Sequence, residues 1–341
     1  MKVGFVGLGA MGRPMAANIL AGGHQLTVFD LAPAATEAFQ DTEAVVAPTA
    51  EDAARDSQVL ITMLPRPTDV AELMLGPSRD GSGGLATVLP AGTTYVDMST
   101  GDPQLAQRIA GVLTPREVDS LDCPVCRTQD HAVAGTLLVL VGGSEQAARR
   151  IRPVLDCMAS EVRHLGGPGT GQAMKLVNNM LSLTVAEAVG EALAVGTRAG
   201  LDVEQIRQIT GQTMAQTAQL DVGLWKKALT GDLQPGFALR LAEKDIALAT
   251  ELAKRLGTAV PVTEQTLRRC GELRDAGYGD ADFGVLATSQ LAQPILPPVA
   301  ISDTPVVRDP AGHPDGGTGN GNANGNGSSN GHGGDAYGKP A

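Results

Sequence analysis

Lys175, Asn178 and Asn179 stand at i, i+3 and i+4 in a run that opens at Gly169 and Gly171. On a helix these three share one face, while Met174, Leu176, Val177, Met180, Leu181 and Val185 take the other sides. An amine and two carboxamides on an otherwise apolar helix suit proton transfer. A lysine amine desolvated among apolar side chains titrates closer to neutrality and can take or return a carbinol proton, and an amide beside it orients the substrate oxygen. The same pattern also suits a plain solvated helix face, and these residues alone leave both readings open.

A second constellation lies at the start of the chain, where Gly7-x-Gly9-x-x-Gly12 directly follows the apolar run Val3 to Val6 and precedes a helical pattern starting near Ala10. At a strand-to-helix turn each glycine has a task. Gly7 allows the tight turn, Gly9 admits a pyrophosphate to the backbone, and Gly12 lets the helix pack close to the strand. Gly7, Leu8, Gly9, Ala10, Met11 and Gly12 are therefore the expected cradle for a dinucleotide. The unsatisfied N–H groups and positive dipole end of the following helix explain how a chain of net charge -11 holds an anion. The run from Gln25 ends in Asp30, 18 residues after Gly12, near the ~20 expected of the carboxylate that accepts hydrogen bonds from the adenosine ribose. A 2′-phosphate would meet like charge there, and Leu31-Ala32-Pro33 supplies no cation, so NAD is expected over NADP. A turn or helix-capping role for Asp30 is the plain alternative.

The elements that must position these groups follow from the pattern of the chain. Strand-like runs at Lys2–Gly7, Gln25–Asp30, Val59–Met63, Thr94–Met98, Val118–Asp122, Leu137–Val141 and Val162–Leu165 alternate with helical stretches. That alternation predicts an α/β fold with a mostly parallel sheet and right-handed crossovers. From Gln172 to Ala292 the period is helical, with Asp202 and Gln205 as a capping pair and Gly257 and Pro261 as punctuation. The expected organisation is a Rossmann domain over residues 1–165, an all-helical substrate and oligomerisation domain over 166–296, and a disordered tail over 297–341. From Ser302 to Ala341 there are eleven glycines and five asparagines and no Leu or Ile, too little apolar surface to offset the entropy of ordering.

Composition narrows the function classes. With 37 acidic against 26 basic side chains and a pI near 4.9, nucleic-acid binding is not expected. The richest apolar stretch, Val185 to Ala199, is broken by Glu187, Glu191 and Arg198, so no membrane segment is expected. Four cysteines in 341 residues make no disulfide framework, and a strand beginning at Lys2 leaves no room for a leader, which points to reduced thiols and a cytoplasmic address. His24, His131 and His164 are too scattered for a metal site.

Several ordered motifs resemble the β-hydroxyacid dehydrogenases, typified by 3-hydroxyisobutyrate dehydrogenase and related to 6-phosphogluconate dehydrogenase. They are Gly7 to Asn18, Asp97 to Pro103, Asp122 to Val125, Gly135 to Leu137 with Val141 to Gly143, Gly169 to Asn179, and Phe237 with Lys244 and Asp245. The resemblance spans residues 1 to about 292 and implies a Rossmann domain, a helical domain that forms a homodimer or homotetramer, and substrate in the cleft between them. By resemblance Lys175 matches the catalytic lysine and Asn179 the asparagine that helps hold substrate. Ser99, followed by Thr100, matches a contact to the substrate carboxylate. Lys244 matches a late lysine near the cleft on the cofactor side, and Leu64 and Pro65 match a loop lining the cofactor.

One stretch departs from the family. Where relatives carry a Ser-Gly-Gly turn that presents a hydroxyl and backbone N–H groups to the substrate carboxylate, this chain has Cys126, Arg127 and Thr128. Cys126 is a poor donor, and side chains at 127 and 128 crowd a close backbone approach. Two outcomes stay open: Arg127 turned inward as a bidentate carboxylate clamp for an anionic substrate of altered shape, or Arg127 pointing to solvent with a pocket for something less like hydroxyisobutyrate. His131 lies in the same loop as a further possible contact.

The activity expected is NAD-dependent hydride transfer between a small 3-hydroxy acid and nicotinamide, with Lys175 as general acid and base. Reduction of a semialdehyde or an imine on the same scaffold is the enzymatic alternative, although imine reductases usually lack the lysine. A thiol redox sensor built on Cys123-x-x-Cys126 is the alternative from another class.

Overall fold

A computed structural model describes residues 1–291. The expected disordered tail over 297–341 lies outside the described residues, as does the end of the 166–296 segment. Among the described residues nine strands form one sheet: β1 (Lys2–Val6), β2 (Gln25–Phe29), β3 (Val45–Val46), β4 (Val59–Thr62), β5 (Thr94–Asp97), β6 (Asp119–Asp122), β7 (Val125–Cys126), β8 (Leu137–Gly143) and β9 (Ala159–Gly166). Their spatial order is β3-β2-β1-β4-β5-β6-β8-β7, with β9 paired to β8. The first six strands pair in parallel; β6 and β7 run antiparallel to β8, and β8 pairs in parallel with β9.

The central strands β1, β4 and β8 read as near-continuous apolar runs because both of their faces are covered. Successive residues go to opposite layers. Phe5 and Ile61 join the core shared with Met15, Ile19 and Val96, whereas Val6 and Leu60 join the one containing Met74, Tyr95 and Ile109. Because β1 lies between β2 and β4, the strand order reverses beside it, and open α/β sheets bind ligands at the carboxyl ends of the strands at such a point.

After β9 the chain enters a long helix, Thr170–Arg198. Leu183 packs with Leu239 and Ile246 of the Leu239–Arg255 helix and Cys270 of the Pro261–Leu273 helix, while Val189 and Leu193 pack with Val203, Leu220 and Leu224. The Asp202–Gln205 capping box is formed, Gly257 has φ +68° just past a helix end, and Pro261 opens the next helix. The segment from Gln212 to Ala238 departs from the helical expectation, since it contains only an isolated π turn (Gln219–Leu224) and a 3-10 turn (Ala228–Thr230). The long helix is long and apolar enough to span a bilayer by length and composition, yet it carries Lys175, Asn179 and Glu187 and buries Leu176, Leu183 and Leu193 inside the protein.

Candidate active site

The glycine turn has the geometry its spacing demands. Gly7 has φ +99°, in the region that excludes ordinary side chains. A Cβ on Gly12 would sit 1.9 Å from Gly7 O, so only glycine lets the first helix, Gly12–Ala21, approach β1 this closely. Gly9 faces open space, where a Cβ would meet nothing within 4 Å. Among the described residues the backbone N–H groups of Gly9, Ala10 and Met11 donate to no protein acceptor, and no side chain caps the helix. Open space, unpaired donors and a helix N-terminus at the sheet's switch point fit a pyrophosphate.

Asp30 is half-buried at the end of β2. Its Oδ2 accepts the Leu8 N–H at 2.7 Å and its Oδ1 the Ala32 N–H at 2.8 Å. The carboxylate is thus fixed to the glycine loop and keeps lone pairs for ribose hydroxyls. Among the described residues no cation pairs with it. On the other side of β1, the Leu64 N–H donates to Ser99 Oγ at 2.8 Å, which joins the loop after β4 to the loop after β5. Pro65 is exposed beside it. Ser99 is completely buried, so the structure gives its hydroxyl a loop-joining contact; Thr100, half-buried, is the member of the pair with open surface.

Beneath this loop lies a buried polar cluster. Asp97 Oδ1 accepts the Ser99 N–H at 3.0 Å and the Thr62 hydroxyl at 3.1 Å. Burial pushes its carboxyl up to about 6, against those same hydrogen bonds, which favour the charged form. Asp122, at the end of β6, accepts the Gly169 N–H at 2.7 Å and the Gln172 N–H at 2.8 Å. Burial raises its carboxyl while the two amides oppose the shift. The first turn of the long helix is therefore capped by a carboxylate from the sheet. Gln172, almost wholly buried, completes the seam: its Nε2 donates to Ser99 O and its Oε1 accepts the Gly101 N–H, both at 2.8 Å.

Lys175 follows three residues later, half-buried, and among the described residues it has no hydrogen-bond or ion-pair partner. Asn179, four residues further on the same side, donates from Nδ2 to Asp245 Oδ2 at 2.6 Å and accepts from Asn178 Nδ2 at 3.0 Å. Lys244 Nζ lies 3.0 Å from Asp245 Oδ1 and donates to Thr100 O at 2.9 Å. Lys175 is thus bracketed by two links, through Gln172 and through Asn179 with Asp245 and Lys244, that both reach the Ser99–Gly101 segment. These links tie the stretch of helix that carries Lys175 to the loop at the carboxyl end of β5.

The 126–128 turn differs from the inward clamp. Cys126 is buried on β7. The Arg127 guanidinium donates to Thr136 O and, at 2.8 Å, to Ser160 Oγ, with Glu161 Oε2 at 3.8 Å, so it is turned to the β8–β9 edge. Thr128 Oγ1 pairs with His131 Nδ1 at 2.8 Å, both exposed. The reason is visible in the backbone: Arg127 occupies φ +85°, the conformation a glycine takes at such a turn, and its side chain leaves on the side where Thr136 and Ser160 offer acceptors. The redox reading also fails physically. Cys123 is fully buried, and its thiol is raised well above the ordinary value by burial and then by Asp122 and Asp97, the opposite of a reactive thiol.

Asp122, Gln172 and Asp245 carry no role in the reading of the sequence, although each sits inside a quoted motif. Their long-range partners lie 47 to 73 positions away in the chain, a pairing that spacing along a single segment does not reveal.

A glycine turn fit for a pyrophosphate, followed along the chain by a helix carrying a lysine without a partner among the described residues, is what a nicotinamide-dependent oxidoreductase requires. Residues 2–166 match the family model described as the NAD binding domain of 6-phosphogluconate dehydrogenase, and residues 169–288 match that of the NAD-binding of NADP-dependent 3-hydroxyisobutyrate dehydrogenase. The chain is 34% identical over 286 residues to 2-(hydroxymethyl)glutarate dehydrogenase of Eubacterium barkeri, covering 84% of this chain and 93% of that protein. It is 33% identical over 284 residues to 3-sulfolactaldehyde reductase of Escherichia coli, covering 83% and 94%. The solved 3-hydroxyisobutyrate dehydrogenase of Mycobacterium tuberculosis, in a structure with L-serine, superposes with TM-score 0.76 at 28% identity over 85% of this chain and 99% of that one. The chain belongs to the β-hydroxyacid dehydrogenase family.

Proposed function

We propose that the protein interconverts a small 3-hydroxy acid and the corresponding aldehyde acid, with Lys175 accepting the hydroxyl proton in oxidation and returning it in reduction. The observation that carries this reading is the bracketed, unpartnered amine of Lys175 on the face shared with Gln172 and Asn179. NAD, its pyrophosphate held by the Gly7–Gly12 turn, would supply the nicotinamide that accepts the hydride. Asp30, held by two backbone amides with no cation beside it among the described residues, favours NAD over NADP, and Leu64, Pro65 and Lys244 are proposed to complete the cofactor's surroundings.

Thr100, Asn179 and the Cys126-Arg127-Thr128 turn are proposed to line the acid end, with Ser99 beneath them fixing the loop that carries Thr100. The relatives named above act on a substituted glutarate and on a sulfonated aldehyde, acid ends larger or differently charged than one small carboxylate. An arginine in the turn suits such a substrate. Arg127 and Glu161 are each about one-third exposed, and exposed ion pairs are worth only about 0–1 kcal/mol, so this pair holds the guanidinium at the β8–β9 edge only weakly and a substrate anion would have to draw it from Thr136 O and Ser160 Oγ. A homodimer or homotetramer is proposed on the long helix, where Met174, Val177, Leu181 and Val195 are 41%, 48%, 64% and 71% exposed at helical spacing. A cytoplasmic address is proposed on the four free cysteines.

The test is a substrate panel of hydroxy acids, semialdehydes and imines read by absorbance of the reduced nicotinamide with NAD and with NADP. The expected outcome is turnover of a hydroxy acid, faster with NAD, and a loss of about 10³-fold or more in kcat for Lys175→Ala with NADH affinity nearly unchanged. Undiminished turnover in that variant would remove the lysine from the mechanism.

A further inference from the structure

Two of the site residues, on different helices, converge on one carboxylate. Asp245, in the Leu239–Arg255 helix, is 1% exposed. Its Oδ2 accepts the Asn179 amide at 2.6 Å, and its Oδ1 lies 3.0 Å from Lys244 Nζ. That second contact is in ion-pair range but lacks hydrogen-bond alignment, and Oδ1 has no hydrogen-bond partner among the described residues. Adjacent positions on a helix do not face each other, so the Lys244 side chain must fold back along the helix to bring its amine to Asp245. From there the same amine reaches Thr100 O at 2.9 Å. The Asn179 amide is fixed at both ends, since its Oδ1 accepts from Asn178.

We infer that Asp245 is a positioning residue: without touching the reactants, it sets the orientation of the Asn179 amide and the place of the Lys244 ammonium at the cleft. The inference deepens the reading above and rests on its assignment of Asn179 to substrate and Lys244 to cofactor. A carboxylate whose purpose was helix packing would be served as well by an apolar side chain of similar volume. This one faces an amide and an amine both assigned above to the site, and among the described residues it is the one group that contacts both.

The experiment compares Asp245→Asn, which keeps the shape and an acceptor for Asn179 but removes the charge, with Asp245→Ala, Asn179→Ala and Lys244→Met, singly and in pairs. Three quantities are read: NADH affinity by fluorescence, kcat and KM with the best acid of the panel, and melting temperature. Asp245→Asn is expected to melt within a few degrees of the wild type, to bind NADH about 5-fold more weakly and to lose about 10-fold or more in kcat/KM. Adding Lys244→Met to it should weaken NADH binding by less than about twofold further, and adding Asn179→Ala should cost less than about threefold more in kcat/KM, because coupled residues do not add. Affinity and kcat/KM within twofold of the wild type, or effects that multiply, would overturn the assignment. Should Asp245→Asn fail to fold, the Asn179→Ala and Lys244→Met cycle in the native background decides, since multiplicative effects there deny a shared anchor. The NADH titration needs no substrate, so a wild type that oxidises none of the acids would defeat the functional reading while this result still stands or falls alone.

Discussion

Arg127 holds φ +85°, a conformation that costs a non-glycine residue about 1 kcal/mol or more. It recovers part of that through Thr136 O and Ser160 Oγ. Arg127→Ala discards the contacts and keeps the strain, whereas Arg127→Gly discards both. The glycine variant should therefore be more stable than the alanine variant by about 1 kcal/mol, read in denaturant melts, with the native protein close to the glycine variant. If the arginine also meets a substrate anion, both variants should raise KM for dicarboxylate or sulfonated substrates by about 10-fold while leaving a short monocarboxylate unaffected. Equal KM changes for all acids would confine Arg127 to the turn. The departure at this position is legible in the sequence as a lost glycine, but the direction of the side chain is not, because it depends on acceptors supplied by Thr136 and Ser160 on other segments. The same limit hides Asp245, whose residue type is plain in the motif and whose work appears only once Asn179 is brought against it.

The elements were more readable than the contacts between them. Strands β1, β2, β4, β5, β6, β8 and the later part of β9 show as strand-like runs, and Gly257 and Pro261 mark a helix end and start. β3 and β7 escape because two residues carry no periodicity, and Gln212 to Ala238 misleads because its composition is compatible with a helix that tertiary packing does not form. The long helix shows what pattern cannot give. Its start is a run of glycines in sequence, but its position is set by Asp122 reaching from β6 to the Gly169 and Gln172 amides, and by Gly171, where a Cβ would lie 2.6 Å from Asp122 O. Asp122→Ala leaves two buried N–H groups without an acceptor, which should lower stability by about 2 kcal/mol. Because Lys175 lies one turn further along, kcat should also fall by about 10- to 100-fold, with NADH affinity at the distant glycine turn unchanged. Melting curves and steady-state kinetics separate the two effects, and a destabilised variant with native kcat would make the cap purely structural.

The whole chain carries a net charge of -11, and folding adds to it the cost of buried carboxylates that, among the described residues, have no cation within hydrogen-bond distance. Asp97 is one, held at about 6 by burial; Glu187, in the middle of the long helix, is another. Its Oε1 accepts from Gln290 Nε2 at 2.9 Å, its Oε2 has no partner among the described residues, and Arg269 comes only to 3.9 Å. Burial lifts its carboxyl from 4.5 to about 7, with Glu191 and Glu272 adding to the shift and Arg269 opposing it. Between those two values the folded protein binds a proton that the unfolded chain has already released. Stability therefore falls as pH rises across that window and levels off above it. Asp97 acts in the same direction between 3.8 and about 6, so the protein should be more stable near pH 5 than at pH 8 as far as these groups decide. Glu187→Gln keeps an acceptor for Gln290 and removes the titration. It should leave stability near pH 4.5 almost unchanged and raise it at pH 8 by roughly 2–3 kcal/mol, which flattens the profile between. Urea melts at pH 4.5, 6 and 8 measure this directly, and a variant whose profile runs parallel to the native one at every pH would show that Glu187 is not the group that titrates.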